Sequence, residues 1–216
     1  MLQIKHFIDG EFVDIRTGQR FDKRSPVDNR IIAQVSEAGR GEVDRAVKAA
    51  RSAFNGEWGA FSMEQRVDLL YGVANEITRR FDDFVEAEMA DTGQPKAIMT
   101  HAFIPRGAAN FKVFADVIKN VPSESFQTTT TDGLGAINYA IRVPKGVIGV
   151  ISPWNAPFLL MTWKVGPALA CGNTVVVKPS EETPLTASLL GEVMNAVGIP
   201  KGVFNVVHGF GPDSTG

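Results

Sequence analysis

Val147-Ile-Gly-Val-Ile-Ser-Pro-Trp-Asn-Ala-Pro-Phe-Leu-Leu-Met-Thr-Trp-Lys-Val-Gly-Pro-Ala-Leu-Ala-Cys-Gly-Asn-Thr-Val-Val-Val-Lys-Pro-Ser-Glu181 is the stretch that decides the fold. It opens on an apolar run, 147–151, that reads as a buried strand. A helical segment follows over 157–170, which Pro167 should interrupt. Asn173 to Lys178, with three consecutive valines, reads as a second buried strand. Thr183 suits a helix N-cap with Pro184 at the first helical position, and Gly198 and Pro200 close that helix. Val203 to Val207 is a third strand. Apolar strands alternating with helices predict an α/β fold with a parallel, Rossmann-like sheet. Gly209-Phe-Gly-Pro-Asp-Ser-Thr-Gly216 then forms a glycine-rich turn poised to open a further helix. Three parallel strands are few for a doubly wound sheet, so an incomplete sheet and a fragment of a longer protein are expected.

Working upstream, Ser125 to Val143 carries the β-branched run Thr128–Thr131, a turn at Asp132-Gly133, and alternating Ile137, Tyr139 and Ile141. This predicts a protruding β-hairpin whose exposed edge would want a partner. Before it the chain reads as helical. Val43, Val47, Ala50 and Phe54 recur at helical spacing. Ser62-Met-Glu-Gln65 is a capping box ahead of the stripe Val67, Leu70, Tyr71, Ala74 and Ile77. Phe81 to Met89 continues helical until Gly93 and Pro95. Thr100 to Lys119 reads as a helix that Pro105 and Gly107 should bend or split. The N-terminus reads as two hairpins, one turning at Asp9-Gly10 and one over Val27 to Val35 around Asp28-Asn29-Arg30. The organisation expected is therefore 1–124 for N-terminal hairpins and helices, 125–143 for the hairpin, and 144–216 for the α/β sheet.

Composition removes several function classes. The 216 residues are 44% hydrophobic with net charge −2, so no basic excess points to nucleic acid or an anionic membrane surface. No apolar stretch approaches the roughly 20 residues of a bilayer span, and the N-terminus lacks a signal-peptide pattern. The single Cys171 cannot form an internal disulfide and fits a reducing, cytoplasmic compartment. On the helix before a strand it is expected to pack as a small buried hydrophobe. The three histidines, His6, His101 and His208, lack metal-ligand spacing, so no metal is expected.

Two groups could carry chemistry. Ser152-Pro153-Trp154-Asn155 follows the first strand, and open α/β sheets bind ligands beyond strand C-termini. An Asn there can donate an N–H to a developing oxyanion. It can equally cap the next helix. Lys178-Pro179-Ser180-Glu181 follows the second strand. A Lys and a carboxylate there can hold ribose hydroxyls, the acid disfavouring a 2′-phosphate and so favouring NAD over NADP. They can equally be a solvated Lys and an acidic first helical turn.

Taken together with Trp163-Lys164, Gly166-Pro167-Ala168, Gly172-Asn173-Thr174, Gly209-Phe-Gly211-Pro212 and the early Phe7-Ile-Asp-Gly-Glu-Phe12, these groups resemble the NAD(P)-dependent aldehyde dehydrogenase superfamily along essentially the whole chain. The resemblance implies the N-terminal part of that fold and NAD as cofactor. It implies Asn155 as the oxyanion-hole residue, Lys178 and Glu181 on the adenosine ribose, and Ser152–Asn155, Pro179, Ser180, Gly211 and Pro212 along the cofactor cleft. It also implies homo-oligomerisation, as dimer or tetramer, through the 125–143 hairpin. The nucleophilic cysteine and the base glutamate of that family would fall beyond Gly216, and Cys171 does not match the nucleophile. Ile104-Pro-Arg-Gly-Ala-Ala-Asn-Phe111 further resembles a subgroup acting on muconic semialdehydes, hydroxy- or amino-substituted. There an arginine at the position of Arg106 would clamp the substrate carboxylate. The competing expectation is a non-catalytic oligomerising module, if the chain ends at Gly216.

Overall fold

The computed structural model describes residues 1–14 and 19–211. Its elements are β1 (Leu2–Ile4), β2 (His6–Ile8), β3 (Glu11–Val13), β4 (Arg20–Arg24), β5 (Ile31–Ser36), α1 (Arg40–Asn55), α2 (Glu57–Ala60), α3 (Met63–Arg79), α4 (Phe81–Thr92), α5 (Lys96–Ile98), a π-helical turn (Met99–Phe103), α6 (Ile104–Lys119), β6 (Ser125–Thr128), β7 (Ala136–Tyr139), β8 (Val147–Ile151), α7 (Pro157–Ala170), β9 (Thr174–Lys178), α8 (Leu185–Val197) and β10 (Phe204–Val206).

The three strands read as parallel are β8, β9 and β10, adjacent in that order and parallel. The sheet does not stop there. The first hairpin adds β2 antiparallel to β10 and β3 outside it, giving a mixed five-stranded sheet, β3-β2-β10-β9-β8. Asp9 (φ 56°) and Gly10 (φ 77°) make the tight turn the Asp-Gly pair predicts. Asn205 locks it to the sheet: its Oδ1 accepts from the Asp9 amide, and its Nδ2 donates to the Val175 and Gly202 carbonyls.

Both faces of β9 are covered, which is why its apolar run is continuous rather than alternating. Val175 and Val177 point into the main core with Phe7, Phe158, Leu190 and Phe204, beneath α3, α7 and α8. Val176 points the other way, into a smaller core with Ile8, Ala46, Ala50 and Val207 beneath α1.

Several expectations are corrected. The second hairpin begins further upstream, pairing β4 with β5 around Asn29 (φ 59°), so Val27 lies in the turn and not in a strand. The helix read over Thr100 to Lys119 is split as expected, but just ahead of Pro105 rather than at it: a π-helical turn, Met99–Phe103, passes into α6, whose first turn holds Pro105. Pro167 lies inside an uninterrupted α7. Thr183 does not cap α8. Pro184 is the N-cap residue, and the Leu185 amide is accepted by Asp91 Oδ2 of α4 at 2.8 Å. The capping box does form: Gln65 N donates to Ser62 Oγ at 3.2 Å and Ser62 N to Gln65 Oε1 at 2.8 Å.

Within 125–143, β6 and β7 form a two-stranded ribbon that, among the described residues, joins no other sheet. Phe126, Leu134, Ile137 and Tyr139 on it are all exposed. Among the described residues, no helix is long and apolar enough to cross a membrane.

Candidate functional site

The register of β8 on β9 pairs Ile151 with Lys178, so the two strands end side by side. The Ser152 amide donates to the Lys178 carbonyl at 3.1 Å and extends that pairing by one residue. Buried Ser152 then donates from Oγ to the Pro157 carbonyl at 3.0 Å, tying the strand end to the start of α7. The intervening Pro153-Trp154-Asn155 is thereby held in a short arc. Trp154 and Asn155 are exposed at its crest. Asn155 does not cap α7, because the N-cap residue is Ala156 and no side-chain bond caps it. Asn155 is therefore exposed to solvent beyond the strand end and commits no side-chain bond to the helix start.

The C-terminal part of α4 supports this arc from beneath. Glu88 Oε1 accepts from the Phe158 amide at 3.3 Å, near the N-terminus of α7, as Asp91 does for α8. Both carboxyls are buried, and burial pushes Glu88 up to about 7 and Asp91 well above the usual carboxylate range. Buried Lys23 donates to the Asp91 and Arg24 carbonyls, and burial lowers its ammonium. Gln94, just past α4, donates from Nε2 to the Asn155 carbonyl at 2.7 Å.

A cleft of about 790 Å³ opens on the α1 side of the sheet. It brings together Ile151, Lys178, Glu181 and Gly211, with Val43, Val47 and Arg51 of α1 as its far wall. Lys178 Nζ stands 3.6 Å from Glu181 Oε2, both partly exposed, and also donates to the Pro179 carbonyl. This places an ammonium and a carboxylate at one strand end. Pro179 is buried, and Ser180 Oγ accepts from the Glu182 amide, shaping the turn rather than facing the cleft. A side chain at Gly149 or Gly211 would meet nothing within 4 Å, so the cleft floor is open. Pro212 lies outside the described residues.

Arg106 is not in that cleft. It is exposed on α6, which packs along α7. The seam is close: a Cβ at Gly107 would stand 2.4 Å from Phe158 Cε1, and Asn110 Nδ2 donates to Thr162 Oγ1 at 2.9 Å. Arg106 makes no ion pair among the described residues. Cys171 is exposed at the C-cap of α7, not buried as expected. The 14-residue α7 lies between it and the Asn155 arc, about 21 Å of helix. Among the described residues, no group of three or more His, Cys, Asp or Glu could hold a metal ion.

Sequence reasoning missed Glu88, Asp91, Gln94 and Arg51. Acidic residues at 88 and 91 and an amide after Gly93 look like ordinary helix-end polarity, and only the packing of α4 beneath α7 and α8 shows their partners. The apolar stripe of α1 was legible, its service as a cleft wall was not.

The parallel strands β8 and β9 of the mixed sheet thus end in an exposed Asn155 and in the Lys178–Glu181 pair, of which Lys178 and Glu181 line the cleft while Ser152, Pro153, Trp154 and Asn155 do not. The chain belongs to the aldehyde dehydrogenase family, whose model matches residues 12–215. Over its full length it is 66% identical to the 2-hydroxymuconic semialdehyde dehydrogenase of Pseudomonas sp. strain CF600, covering 44% of that protein. It is 56% identical to a 2-aminomuconic 6-semialdehyde dehydrogenase of Pseudomonas sp., again covering 44%. An aldehyde dehydrogenase of Bacillus cereus, solved as an NAD+ complex, superposes with TM-score 0.92 at 36% identity, over 98% of this chain and 42% of that one. The chain thus spans less than half the length of the curated relatives it matches.

Proposed function

We propose that the full-length protein containing this chain is an NAD-dependent dehydrogenase that oxidises a carboxylate-bearing semialdehyde, 2-hydroxymuconic semialdehyde, to the acid. The observation that carries this is the side-by-side ending of β8 and β9, with the exposed Asn155, which does not cap α7, beyond one and the Lys178–Glu181 pair beyond the other. The 66% identity to a 2-hydroxymuconic semialdehyde dehydrogenase, against 56% for a 2-aminomuconic relative, favours the hydroxy substrate.

The cleft residues fit the cofactor. Lys178 and Glu181 together offer a donor and an acceptor to a ribose diol, and the open floor at Gly149 and Gly211 leaves room for it. NAD, when bound, supplies the hydride acceptor. The Asn155 side chain donates an N–H to the substrate carbonyl oxygen as it gains negative charge, an interaction that strengthens toward the transition state. Ser152, Glu88 and Gln94 hold the arc that carries it. Arg106, exposed on α6 and without an ion pair among the described residues, receives the substrate carboxylate through two parallel N–H donors. Cys171, at the far end of α7, stands too far along the helix to attack an aldehyde held at Asn155 and takes no part in the chemistry.

We further propose that the 125–143 ribbon joins subunits through its exposed apolar side chains, and that the protein works in the cytoplasm, where the exposed Cys171 thiol stays reduced.

The test is NADH formation by the full-length protein with each semialdehyde, repeated with Arg106→Ala and with an uncharged aldehyde of similar size. The proposal predicts a higher kcat/KM on the hydroxy substrate and a rise in KM of about tenfold or more in Arg106→Ala for the charged substrate alone. An unchanged KM would remove Arg106 from the substrate site.

A further inference from the structure

We propose that Gln94 is the positioning residue for the Asn155 amide, holding its backbone so that the side chain is preset toward the substrate oxygen. The proposal rests on the oxyanion role given to Asn155 above.

Several hydrogen bonds hold the arc between β8 and α7, with the Ser152 amide on the Lys178 carbonyl and Lys164 Nζ on the Ile151 carbonyl at its start. Ser152 Oγ holds the Pro157 carbonyl and Glu88 holds the Phe158 amide. Both act on its flanks. Among the described residues, only the Gln94 Nε2 bond, at 2.7 Å, falls on Asn155 itself. The Asn155 carbonyl stands outside the α7 ladder, whose first acceptor is the Ala156 carbonyl bonded by the Leu160 amide. Among the described residues, Gln94 supplies its hydrogen bond. Removing that donor frees the peptide that sets the direction of the Asn155 side chain, while the flanking bonds remain.

The approach of Gln94 is itself built. α4 ends at Gly93 in the left-handed region (φ 68°), and a Cβ there would stand 2.9 Å from Pro26 Cγ. Only glycine both turns the chain and lets it pass this close to the β4–β5 turn. The Thr92 hydroxyl accepts from the Gln94 amide at 3.2 Å, fixing where the side chain starts. Pro95 follows and begins the next helix. The turn therefore aims a neutral N–H donor at one carbonyl. Gln94 touches neither substrate nor cofactor in this account and acts only through Asn155.

The experiment uses the full-length protein with Gln94→Glu, which keeps size but loses the donor, and Gln94→Lys, which restores an N–H donor. Asn155→Ala and the Gln94→Glu/Asn155→Ala double variant complete the set. Expected are a kcat lowered about tenfold or more in Gln94→Glu, an unchanged KM for NAD, and faster amide exchange over 153–157. Gln94→Lys recovers most of the kcat. In the Asn155→Ala background, Gln94→Glu adds no further loss. Multiplicative losses in the double variant, or a kcat and exchange unchanged in Gln94→Glu, overturn the brace. If Asn155→Ala lowers kcat and Gln94→Glu does not, the oxyanion role stands and the brace falls. If neither lowers kcat, both fall.

Discussion

Glu88 of α4 accepts a hydrogen bond from the amide of Phe158, the second residue of α7, at 3.3 Å. A buried carboxyl thus serves one of the orphan donors at the N-terminus of the helix that Asn155 leads into. Burial, outweighing that hydrogen bond, pushes Glu88 up to about 7 from its ordinary 4.5. The folded value lies above the unfolded one. Its contribution is therefore fully present below pH 4.5 and is lost as pH rises to about 7. Glu88→Gln keeps the acceptor and cannot ionise. It should be more stable than the parent above neutral pH, by up to roughly 3 kcal/mol, with no advantage in acid. Glu88→Ala should lose about 1–3 kcal/mol by orphaning the Phe158 amide. Denaturant midpoints across this pH range check both.

The His6–His208 pair has the opposite sign. The His208 amide donates to His6 Nδ1 at 3.1 Å, so that nitrogen must be unprotonated, and the rings stack at 5.9 Å. Burial lowers His6 to about 4 and His208 to about 3, with Glu42 and Asp14 opposing the shift at His6. Stability should fall as pH drops from 6.5 toward 4, His6 alone contributing roughly 3 kcal/mol at the acid end. His208→Phe keeps a ring and cannot protonate, so its acid unfolding should be shallower. Unfolding titrations of the two proteins decide this.

The α6–α7 seam needs a glycine at 107. A methyl group there would meet Phe158 Cε1 at 2.4 Å, and Phe158 is a buried core ring. Gly107→Ala should cost about 1–3 kcal/mol, measured by thermal unfolding. Gly41→Ala, in open space on α1, should be neutral or stabilising.

The ribbon supplies a test of assembly. Ile137 and Tyr139 are 71% and 69% exposed, on strands that pair only with each other. Charging both, as Ile137→Asp with Tyr139→Asp, should shift the full-length protein to smaller species in sedimentation, with its circular dichroism unchanged. An unaltered mass would remove the ribbon from the interface.

What was legible in the sequence was mostly local. The Asp9-Gly10 turn, the Ser62–Gln65 capping box, the helix stops at Gly93 and Gly198 and the strands read over 147–151 and 173–178 rest on short-range rules, and the structure shows each of them, except that on β8 only Val150 is buried and Ile151 is exposed. What was not legible depends on distant partners. Nothing near Phe7 says that its strand will pair antiparallel with Val206. Thr183 and Pro184 look like a helix start, yet the first α8 amide is served by Asp91, far upstream. Cys171 has the neighbours of a buried residue but ends its helix facing solvent. Of the residues proposed for the site, Asn155, Lys178 and Glu181 were picked out by motif order, while the partners Glu88 and Gln94 required the packing of α4 beneath α7.

The most direct measurement of the central claim is single-turnover NADH formation by the full-length protein carrying Asn155→Ala, beside its dissociation constant for NAD. Asn155 is exposed and makes no cap for α7, so its loss should leave folding and NAD binding intact. The oxyanion role predicts a rate lowered about 10²- to 10³-fold with that constant unchanged. A rate equal to that of the parent protein would contradict it.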